Sequence, residues 1–129
     1  MEKYLLDTCT FLWLISDSDN LPPRVREIFQ EQNNQIYLSA ASTTEIAIKC
    51  SLKKLELPSP VSEFVITQRQ KHEIAFLPLE ERASLQLSRL PRIHQDPFDR
   101  MLICQALIEN LTILTPDEQI ISYGIPTVW

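Results

Sequence analysis

The chain has 129 residues and a mass of 15.0 kDa, which suits one domain over residues 1–129 with enough length to bury a core. Hydrophobic residues make up 44% and charged residues 22%, values typical of a soluble globular protein. The 17 acidic residues outnumber the 12 basic ones and give a net charge of −5. This charge argues against nucleic-acid binding by general electrostatic attraction, but it permits an acidic metal site or a basic protein partner.

The N-terminal segment indicates neither a membrane span nor a signal peptide. Its apolar run over 11–15 is too short to cross a bilayer, and Glu2 and Asp7 interrupt the region where a signal peptide needs a basic start and an apolar centre. We therefore expect a cytoplasmic protein with no membrane partner. The three cysteines are odd in number and widely spaced, and we interpret them as free core thiols rather than as disulfides or a zinc site. They are Cys9, Cys50 and Cys104.

The first half of the chain predicts two strands and three helices. Short apolar runs indicate the strands, and proline or hydroxyl residues ahead of apolar stripes indicate the helix starts. In chain order the elements are a strand over 3–7, a helix begun by Thr8 or Thr10, a helix that opens at 22–23 and fades at 33–34, a strand over 36–38, and a helix capped by Ser39 or Ser42. The first strand ends on Asp7, and ligands of open α/β sheets bind at the carboxyl ends of strands.

The second half continues this alternation. It predicts a helix from 59–60 to about His72, a strand over 74–77, a helix over 79–90 with Ala83, Leu85, Leu87 and Leu90 facing inward, a helix that begins at Asp96, a strand over 111–114, and a helical turn after Asp117. A short C-terminal strand would make a fifth. Strands that alternate with helices favour an α/β fold, in which helices cover both faces of a mostly parallel sheet of four or five strands.

The clearest helix start lies in the stretch from His94 to Ala106. Asp96 is a good cap for the free backbone N–H groups, Pro97 suits the first helical position, and Asp99 follows three residues after the cap. The apolar residues behind Asp99 predict a largely buried helix. Taken alone, both carboxylates are explained by capping and by the positive end of the helix dipole.

The predicted topology brings further acids to the same place. In a parallel sheet with short right-handed connections, the end of each strand and the start of the next helix lie on one edge. Five acids follow this rule, namely Asp7, Glu45, Asp96, Asp99 and Asp117. Like-charged carboxylates in one cleft repel each other, and a divalent cation relieves that repulsion. The pattern therefore favours an all-oxygen site for Mg²⁺ or Mn²⁺, which can activate water for phosphodiester hydrolysis.

Simpler roles exist for some residues, and other chemistries fit poorly. Glu45 has capping-box spacing from Ser42 and lies four residues before Lys49, a spacing that favours a surface ion pair. With Gly124 as its only glycine, the chain lacks a phosphate-binding glycine-rich loop. Neither of the two histidines is in a recognisable nucleophile–histidine–acid arrangement. We interpret His94 as a loop or supporting residue rather than as a catalyst.

A series of short motifs runs along nearly the whole chain. They are Leu5–Thr8 with Leu12-Trp13, Ser39–Ser42 with Glu45–Lys49, Lys54–Pro58, Leu77–Leu79, His94–Arg100, Thr115–Asp117 and the terminal Trp129. In order and spacing, the chain resembles the PIN-domain proteins, specifically the VapC-like toxin ribonucleases of bacterial type II toxin–antitoxin systems. The resemblance implies a single PIN-like domain that cuts RNA as a divalent-metal-dependent endoribonuclease with water as the nucleophile. It also implies a homodimer, and an antitoxin that occludes the site.

The resemblance further implies roles for the acids. Four of them match the family's acidic quartet by position, namely Asp7, Glu45, Asp99 and Asp117. Asp7 and Asp99 would be the principal metal ligands. Glu45 and Asp117 would complete the coordination or orient the attacking water. Asp96 is then an extra acid of the catalytic site, which caps the helix and contacts water on the metal.

Other positions of the resemblance concern supporting residues. Thr8 and Thr115 would support the acids through hydroxyl hydrogen bonds, and Arg100 would meet substrate phosphate. The chain departs from the family at Thr44, where a large apolar or aromatic residue is common, and at Pro116, where a basic residue is common. These departures concern packing and phosphate contact more than metal binding.

Two alternatives keep the fold and change the function. One is a non-catalytic protein-binding module in which the acids serve mainly as helix caps, and it predicts no metal-induced rise in melting temperature. The other is a structure-specific DNA nuclease with the same metal site, against which the shortness of the chain argues. The apolar face of the first helices is a candidate antitoxin surface, with ordinary core as the simpler interpretation. It comprises Leu12, Trp13, Val25 and Phe29.

Overall fold

The structure, a computed structural model, describes residues 2–129, in which strands alternate with helices. In chain order the elements are β1 (Lys3–Leu6), α1 (Thr8–Ile15), α2 (Pro23–Gln30), β2 (Gln35–Ser39), α3 (Ala40–Ser51), α4 (Val61–Lys71), β3 (Ala75–Leu77), α5 (Glu81–Gln86), α6 (Pro97–Glu109), β4 (Thr112–Leu114), α7 (Glu118–Ile121) and β5 (Thr127–Val128). Every helix within residues 2–129 falls short of the length and apolar character that a membrane span needs.

Within the described part of the chain, five strands form one sheet in the order β3-β2-β1-β4-β5. All its strand pairs are parallel, which confirms the predicted α/β fold. β1 lies at the centre, where Leu5 is in register with Tyr37 of β2 on one side and with Ile113 of β4 on the other. The apolar pair Leu5-Leu6 suits this position, because a central parallel strand is buried on both faces.

Helices cover both faces of the sheet. Successive residues of a strand point to opposite faces, and Leu5 and Leu6 accordingly belong to different core clusters. Leu5 packs in a cluster with Ile103 of α6, whereas Leu6 packs in one with Phe11 of α1. These four side chains are fully buried, and each is expected to contribute about 1.5–3 kcal/mol to folding. The core therefore fixes α1 and α6, which both carry predicted site residues, on opposite sides of β1.

The strand order reverses direction at the centre of the sheet. The chain places β2 and β3 on one side of β1, and β4 and β5 on the other. In open parallel sheets, ligands bind in the crevice beyond the carboxyl ends of the strands at such a point. Asp7 directly follows β1 and Thr115 directly follows β4, while the backbone N–H of Asp7 donates to the carbonyl of Leu114 at 3.5 Å. The topology therefore brings these two segments side by side at the crevice.

The prediction that Thr8 or Thr10 caps α1 was wrong. The cap is Asp7, whose Oδ1 accepts from the backbone N–H of Thr10 at 2.7 Å. The hydroxyl of Thr8 instead donates to Glu45, and that of Thr10 donates to a backbone carbonyl of β4. An aspartate and a threonine are both good caps, so the long-range bonds of the threonines decide which one serves.

The predicted extent of the helix over 79–90 was also wrong. α5 ends at Gln86, and the residues after it make turn hydrogen bonds to carbonyls three residues earlier, such as that from the Leu87 N–H to Ser84 at 3.2 Å. Pro91, which has no N–H, also disfavours helical backbone in the residue before it. The carbonyls of Leu87 and Leu90 accept from Arg100, each at 3.3 Å. Leu85, which was predicted to face inward, is 65% exposed.

Two further side chains that were predicted to be buried, those of Leu107 and Cys9, are exposed in the structure. Leu107, on the outer face of α6, is 45% exposed. Cys9 is exposed at the start of α1, whereas Cys104 is buried and Cys50 is partly buried. All three thiols are free, as predicted. Only Cys104 is a full member of the core, since Cys9 lies at the edge of the sheet where the acids gather.

Candidate metal centre

Each acid of the predicted cluster follows a strand or lies near the start of a helix. Asp7 caps α1 and Asp117 caps α7. Asp96 caps α6, and Asp99 lies in the first turn of that helix. Glu45 lies in the second turn of α3. The sequence therefore delivers these carboxylates to the carboxyl edge of the sheet through ordinary helix starts.

Two of the acids converge with one histidine. Asp99, Asp117 and His94 each offer a ligand atom, and these three atoms lie within 4.8 Å of one another. The Nε2 of His94 is 2.8 Å from the Oδ2 of Asp99. His94 is only 9% exposed, and both carboxylates are partly buried. The loop position predicted for His94 is correct, and its contact with Asp99 places it in the centre of the site.

Asp7 is joined to this group through Thr115. The hydroxyl of Thr115 donates to the Oδ2 of Asp7 at 2.5 Å and accepts from the backbone N–H of Asp117 at 3.0 Å. The other oxygen of Asp7 caps α1. Thr115 is fully buried and Asp7 nearly so. One hydroxyl group thus sets the position of Asp7 relative to Asp117.

Glu45 is held by two other groups. Its Oε1 accepts from the hydroxyl of Thr8 at 2.7 Å, and its Oε2 lies 2.8 Å from the Nζ of Lys49. The predicted ion pair with Lys49 is therefore present. The capping-box interpretation was wrong, because Ser39 rather than Ser42 caps α3. Glu45 stands apart from the three converging side chains.

The pKa values of two carboxyl groups in the centre, those of Asp7 and Asp99, are raised. The pKa of Asp99 is raised to about 6, mainly by burial and in smaller part by the charges of Asp96 and Asp117, against a lowering by the hydrogen bond with His94. Burial also raises the pKa of Asp7, against its threonine hydrogen bonds, and the charge of Asp117 adds to the rise. Asp117 therefore acts on both partners, which places all three carboxylates within one electrostatic neighbourhood.

These residues fit a divalent cation. Carboxylate oxygens are the ligands of Mg²⁺ and Mn²⁺, and an imidazole nitrogen adds a donor that suits transition metals. A bound cation would offset the burial of these charges, which is the main cause of the raised pKa values of Asp7 and Asp99, and the repulsion that adds to it.

Asp96 affects the centre in two ways, because its charge raises the pKa of Asp99 and its side chain caps α6. Its Oδ1 accepts from the backbone N–H groups of Phe98 at 2.8 Å and of Asp99 at 3.0 Å. The predicted cap is therefore confirmed. The side chain lies outside the group of three converging ligands, and its catalytic contribution stays a prediction.

Arg100 does not have the role that was predicted for it. The side chain is 7% exposed, and its guanidinium donates to the carbonyl of Pro91 at 2.9 Å and to the hydroxyl of Tyr123 at 3.1 Å. Its other nitrogen donates to the carbonyls of Leu87 and Leu90, which follow α5. The guanidinium is therefore directed into the protein, where it organises the loop before α6, and it is not presented to substrate phosphate.

Tyr123 is a residue of this region that the sequence did not indicate. Its hydroxyl accepts from the backbone N–H of His94 at 3.0 Å and donates to the carbonyl of Pro91 at 2.7 Å. It belongs to no motif, and the only signal is the general rule that a tyrosine hydroxyl finds a hydrogen-bond partner where its ring packs against the protein. The loop that carries His94 is thus anchored from the C-terminal end of the chain.

The substitution Thr115→Val is expected to weaken Mn²⁺ binding by about 10–100-fold, the usual effect of losing a hydrogen bond that supports a metal ligand. Valine keeps the shape but removes both the donor to Asp7 and the acceptor for the Asp117 N–H. Mn²⁺ titration followed by thermal melting measures the effect. Thr112→Val, at a partly exposed position of β4, is the matched control. Equal Mn²⁺ affinity in both variants would contradict the supporting role of Thr115.

The raised pKa of Asp99 predicts a pH dependence of stability. The unfolded carboxyl has a pKa of about 3.9, so the folded state holds the proton more tightly. The stability from this proton is fully present below about pH 4 and is lost as the pH rises through about 6. Asp99→Asn, measured in chelator, should therefore match wild type near pH 4 and exceed it at pH 7.5 by about 1–2 kcal/mol, after allowance for solvent screening. Urea unfolding at both pH values measures this, and a difference that is independent of pH would contradict it.

Comparison with known proteins agrees with this architecture. A family model of the PIN domain matches residues 4–125. No curated protein matches the chain. Among solved structures, a chain of VapBC2 from Rickettsia felis bound to a DNA fragment from their promoter is similar, with a TM-score of 0.72, 14% identity and 98% of each chain covered.

Two further solved structures are similar over nearly their whole length. DNA-bound VapBC from Salmonella typhimurium gives a TM-score of 0.72 at 18% identity, covering 99% of this chain and 98% of that one. VapBC-1 from nontypeable Haemophilus influenzae gives 0.66 at 15% identity, covering 98% and 96%. At these identities the likeness shows a shared fold. Because the family model spans the sheet from β1 through β4, and α7 beyond it, this chain belongs to the PIN domain family.

Proposed function

We propose that the chain is a divalent-metal-dependent endoribonuclease, the toxin of a bacterial type II toxin–antitoxin system. The observation that carries this proposal is the convergence of Asp99, Asp117 and His94, tied to Asp7 through Thr115, at the carboxyl edge of a PIN domain. Carboxylates that repel each other in a partly buried cleft favour a divalent cation as their partner. This arrangement suits hydrolysis of a phosphodiester better than any chemistry based on a protein nucleophile.

The chain's own residues would bind and orient the reacting groups. Asp7, Asp99 and Asp117 would hold Mg²⁺ or Mn²⁺. When bound, such an ion supplies the positive charge that activates water and stabilises negative charge on the phosphate. With a pKa of about 6, the carboxyl of Asp99 is mostly ionised at neutral pH and ready to bind. Thr115 holds the carboxylate of Asp7 and the backbone of Asp117 in place, so little reorganisation is needed on binding.

Glu45 and Lys49 would act together beside the ion. Glu45 is the acid that we propose to orient the attacking water, and Thr8 fixes its position through a buried hydrogen bond. The side chain of Lys49 is about half exposed. Its charge acts to lower the pKa of Cys9, which burial raises, so Lys49 lies near the edge where the acids gather. We propose that Lys49 meets an RNA phosphate, a contact that offsets part of the chain's negative charge.

A cognate antitoxin and a second copy of the chain are the proposed protein partners. The similar solved structures are VapBC structures, which motivates the antitoxin. Of the predicted antitoxin surface, Val25 is fully buried and belongs to the core. Leu12 and Trp13 instead line an open groove of about 510 Å³ with Leu57 and Phe64. This groove is the proposed place for apolar antitoxin side chains.

Cleavage of total bacterial RNA by the purified protein tests the proposed activity. With Mn²⁺ we expect discrete fragments, and with a chelator we expect intact RNA. Single-stranded and double-stranded DNA carried through the same incubation separate the ribonuclease from a DNA nuclease. Intact RNA under every metal condition, with the protein folded, would contradict the proposal.

The non-catalytic binding module has one observation in its favour. Asp7, Asp96 and Asp117 all cap helices, so three of the five acids have a structural role without any metal. The two functions differ in their response to metal. A cation that binds only the folded state stabilises it by about 2.7 kcal/mol at one hundred times its dissociation constant. The binding module predicts an unchanged melting temperature at the same Mn²⁺ concentration.

A further inference from the structure

We propose that His94 is itself a ligand of the cation, so that the centre combines an imidazole with carboxylates and prefers first-row transition-metal ions over Mg²⁺. This inference rests on the metal dependence proposed above and specifies the class of ion. The acidic quartet implied by the sequence contains no nitrogen donor, so the histidine changes the chemistry expected of the site.

The spacing of the ligand atoms fits one shared ion. In octahedral coordination with bonds of about 2.1 Å, two adjacent ligand atoms lie about 3 Å apart. The Nε2 of His94 and the Oδ2 of Asp99 are 2.8 Å apart, and a ligand atom of Asp117 completes the group within 4.8 Å. The hydrogen bond between His94 and Asp99 therefore holds these two atoms at the separation that two ligands of one ion need. The ion would replace the proton between them, which would leave to solvent, and the neutral imidazole would keep its proton on Nδ1.

The imidazole is fixed in this position by the loop that carries it. The backbone N–H of His94 donates to the hydroxyl of Tyr123 at 3.0 Å, and its carbonyl accepts from Arg100 at 3.5 Å. The same hydroxyl and the same guanidinium both bind the carbonyl of Pro91, which fixes the preceding turn. With the backbone held and the side chain buried, the ring is already directed at Asp99, as supporting hydrogen bonds commonly arrange for metal ligands.

The donor set decides which ion fits. Mg²⁺ strongly prefers oxygen ligands and keeps several waters, whereas first-row transition metals accept an imidazole nitrogen more readily. A site made of carboxylates alone would bind Mg²⁺ and Mn²⁺ with smaller discrimination. With His94 as a ligand, we expect Mn²⁺ to bind about tenfold or more tightly than Mg²⁺.

Electron spin echo envelope modulation of bound Mn²⁺ tests the proposal, because a coordinated imidazole nitrogen modulates the echo. The chain has two histidines, and His72 lies at the end of α4 with its Nδ1 against the carbonyl of Gln68. His72→Gln is therefore a matched control. We expect ¹⁴N modulation in wild type and in His72→Gln but not in His94→Gln. The preference for Mn²⁺ over Mg²⁺, measured by competition, should fall about tenfold in His94→Gln alone.

The proposal is overturned if Mn²⁺ binds wild type without ¹⁴N modulation, or if His94→Gln keeps both the modulation and the preference. His94 would then only position Asp99 through a hydrogen bond, and metal-dependent RNA cleavage would still leave the proposed ribonuclease standing. Absence of Mn²⁺ binding would overturn both. If His94→Gln does not fold, wild type labelled with ¹⁵N-histidine decides, because labelling alters the modulation only when an imidazole is bound.

Discussion

Replacing Asp99 with asparagine is expected to reduce metal-dependent RNA cleavage by at least about a hundredfold while leaving the protein folded. Loss of a hydrogen bond that merely supports a metal ligand costs about 10–100-fold, and Asp99 is proposed to bind the ion directly. Asparagine keeps the side-chain shape and an oxygen that can accept from His94, but it removes the negative charge. The variant therefore isolates the charge of Asp99 from its packing.

Cleavage rates of wild type and Asp99→Asn, measured on the same RNA with Mn²⁺, give the result. Asp19→Asn removes one exposed carboxylate far from the edge where the acids gather, and it should cleave like wild type. Equal cleavage rates for Asp99→Asn and wild type would contradict the proposed mechanism. The stability measurement in chelator supplies an independent check, because Asp99→Asn should be at least as stable as wild type at pH 7.5, so that lost activity does not reflect unfolding.

Much of the fold could be predicted because local patterns and tertiary packing agree. Asp96 followed by Pro97 combines a good cap with a residue that suits the first helical position, and α6 begins there. The start of α1 was harder, because Asp7, Thr8 and Thr10 are all competent caps. Only the bonds that the threonine hydroxyls make across the fold select among them, and those bonds are invisible in a local pattern.

The edge of the sheet that gathers the acids could also be predicted, whereas the contacts among them could not. Topology alone places Asp99 and Asp117 on one edge. It does not show that Lys49 and Thr8 occupy both oxygens of Glu45. The i, i+4 spacing indicated the ion pair, and the family resemblance indicated a supporting role for Thr8. Neither showed that the acid which Thr8 supports is Glu45.

The direction of the Arg100 side chain is the clearest case of a feature that the sequence pattern could not predict. Next to Asp99 in sequence, Arg100 suggested a group available to substrate phosphate. Its direction is decided instead by the backbone carbonyls of the segment between α5 and α6, and by Tyr123, which is 23 residues away in sequence. The position of a residue in a helix fixes its Cα and Cβ atoms, whereas the charged group of a long flexible side chain is positioned by its hydrogen-bond partners.

The second large effect is expected from Arg100→Met, which should destabilise the protein by about 3 kcal/mol and lower its melting temperature by about 10 °C. The guanidinium is buried, and its partners are backbone carbonyls at 2.9–3.5 Å and the hydroxyl of Tyr123. Methionine fills much of the same space without any donor. The carbonyls of Pro91 and Leu87 keep other donors, whereas those of Leu90 and His94 lose theirs. Each buried carbonyl left without a hydrogen bond costs about 1–3 kcal/mol, and water that enters the loop recovers part of this cost.

The destabilisation should be confined to variants that remove these donors. Arg92→Met makes the same change at an exposed position of the same loop and should alter stability by less than about 0.5 kcal/mol. Tyr123→Phe removes one donor to Pro91 and should cost about 1–2 kcal/mol. Urea unfolding of the three variants measures these losses of stability, which we expect to decrease from Arg100→Met through Tyr123→Phe to Arg92→Met. If Arg100→Met were as stable as Arg92→Met, the cost of burying the guanidinium would equal what its hydrogen bonds contribute. In that case the loop that carries His94 would owe its position to packing rather than to Arg100.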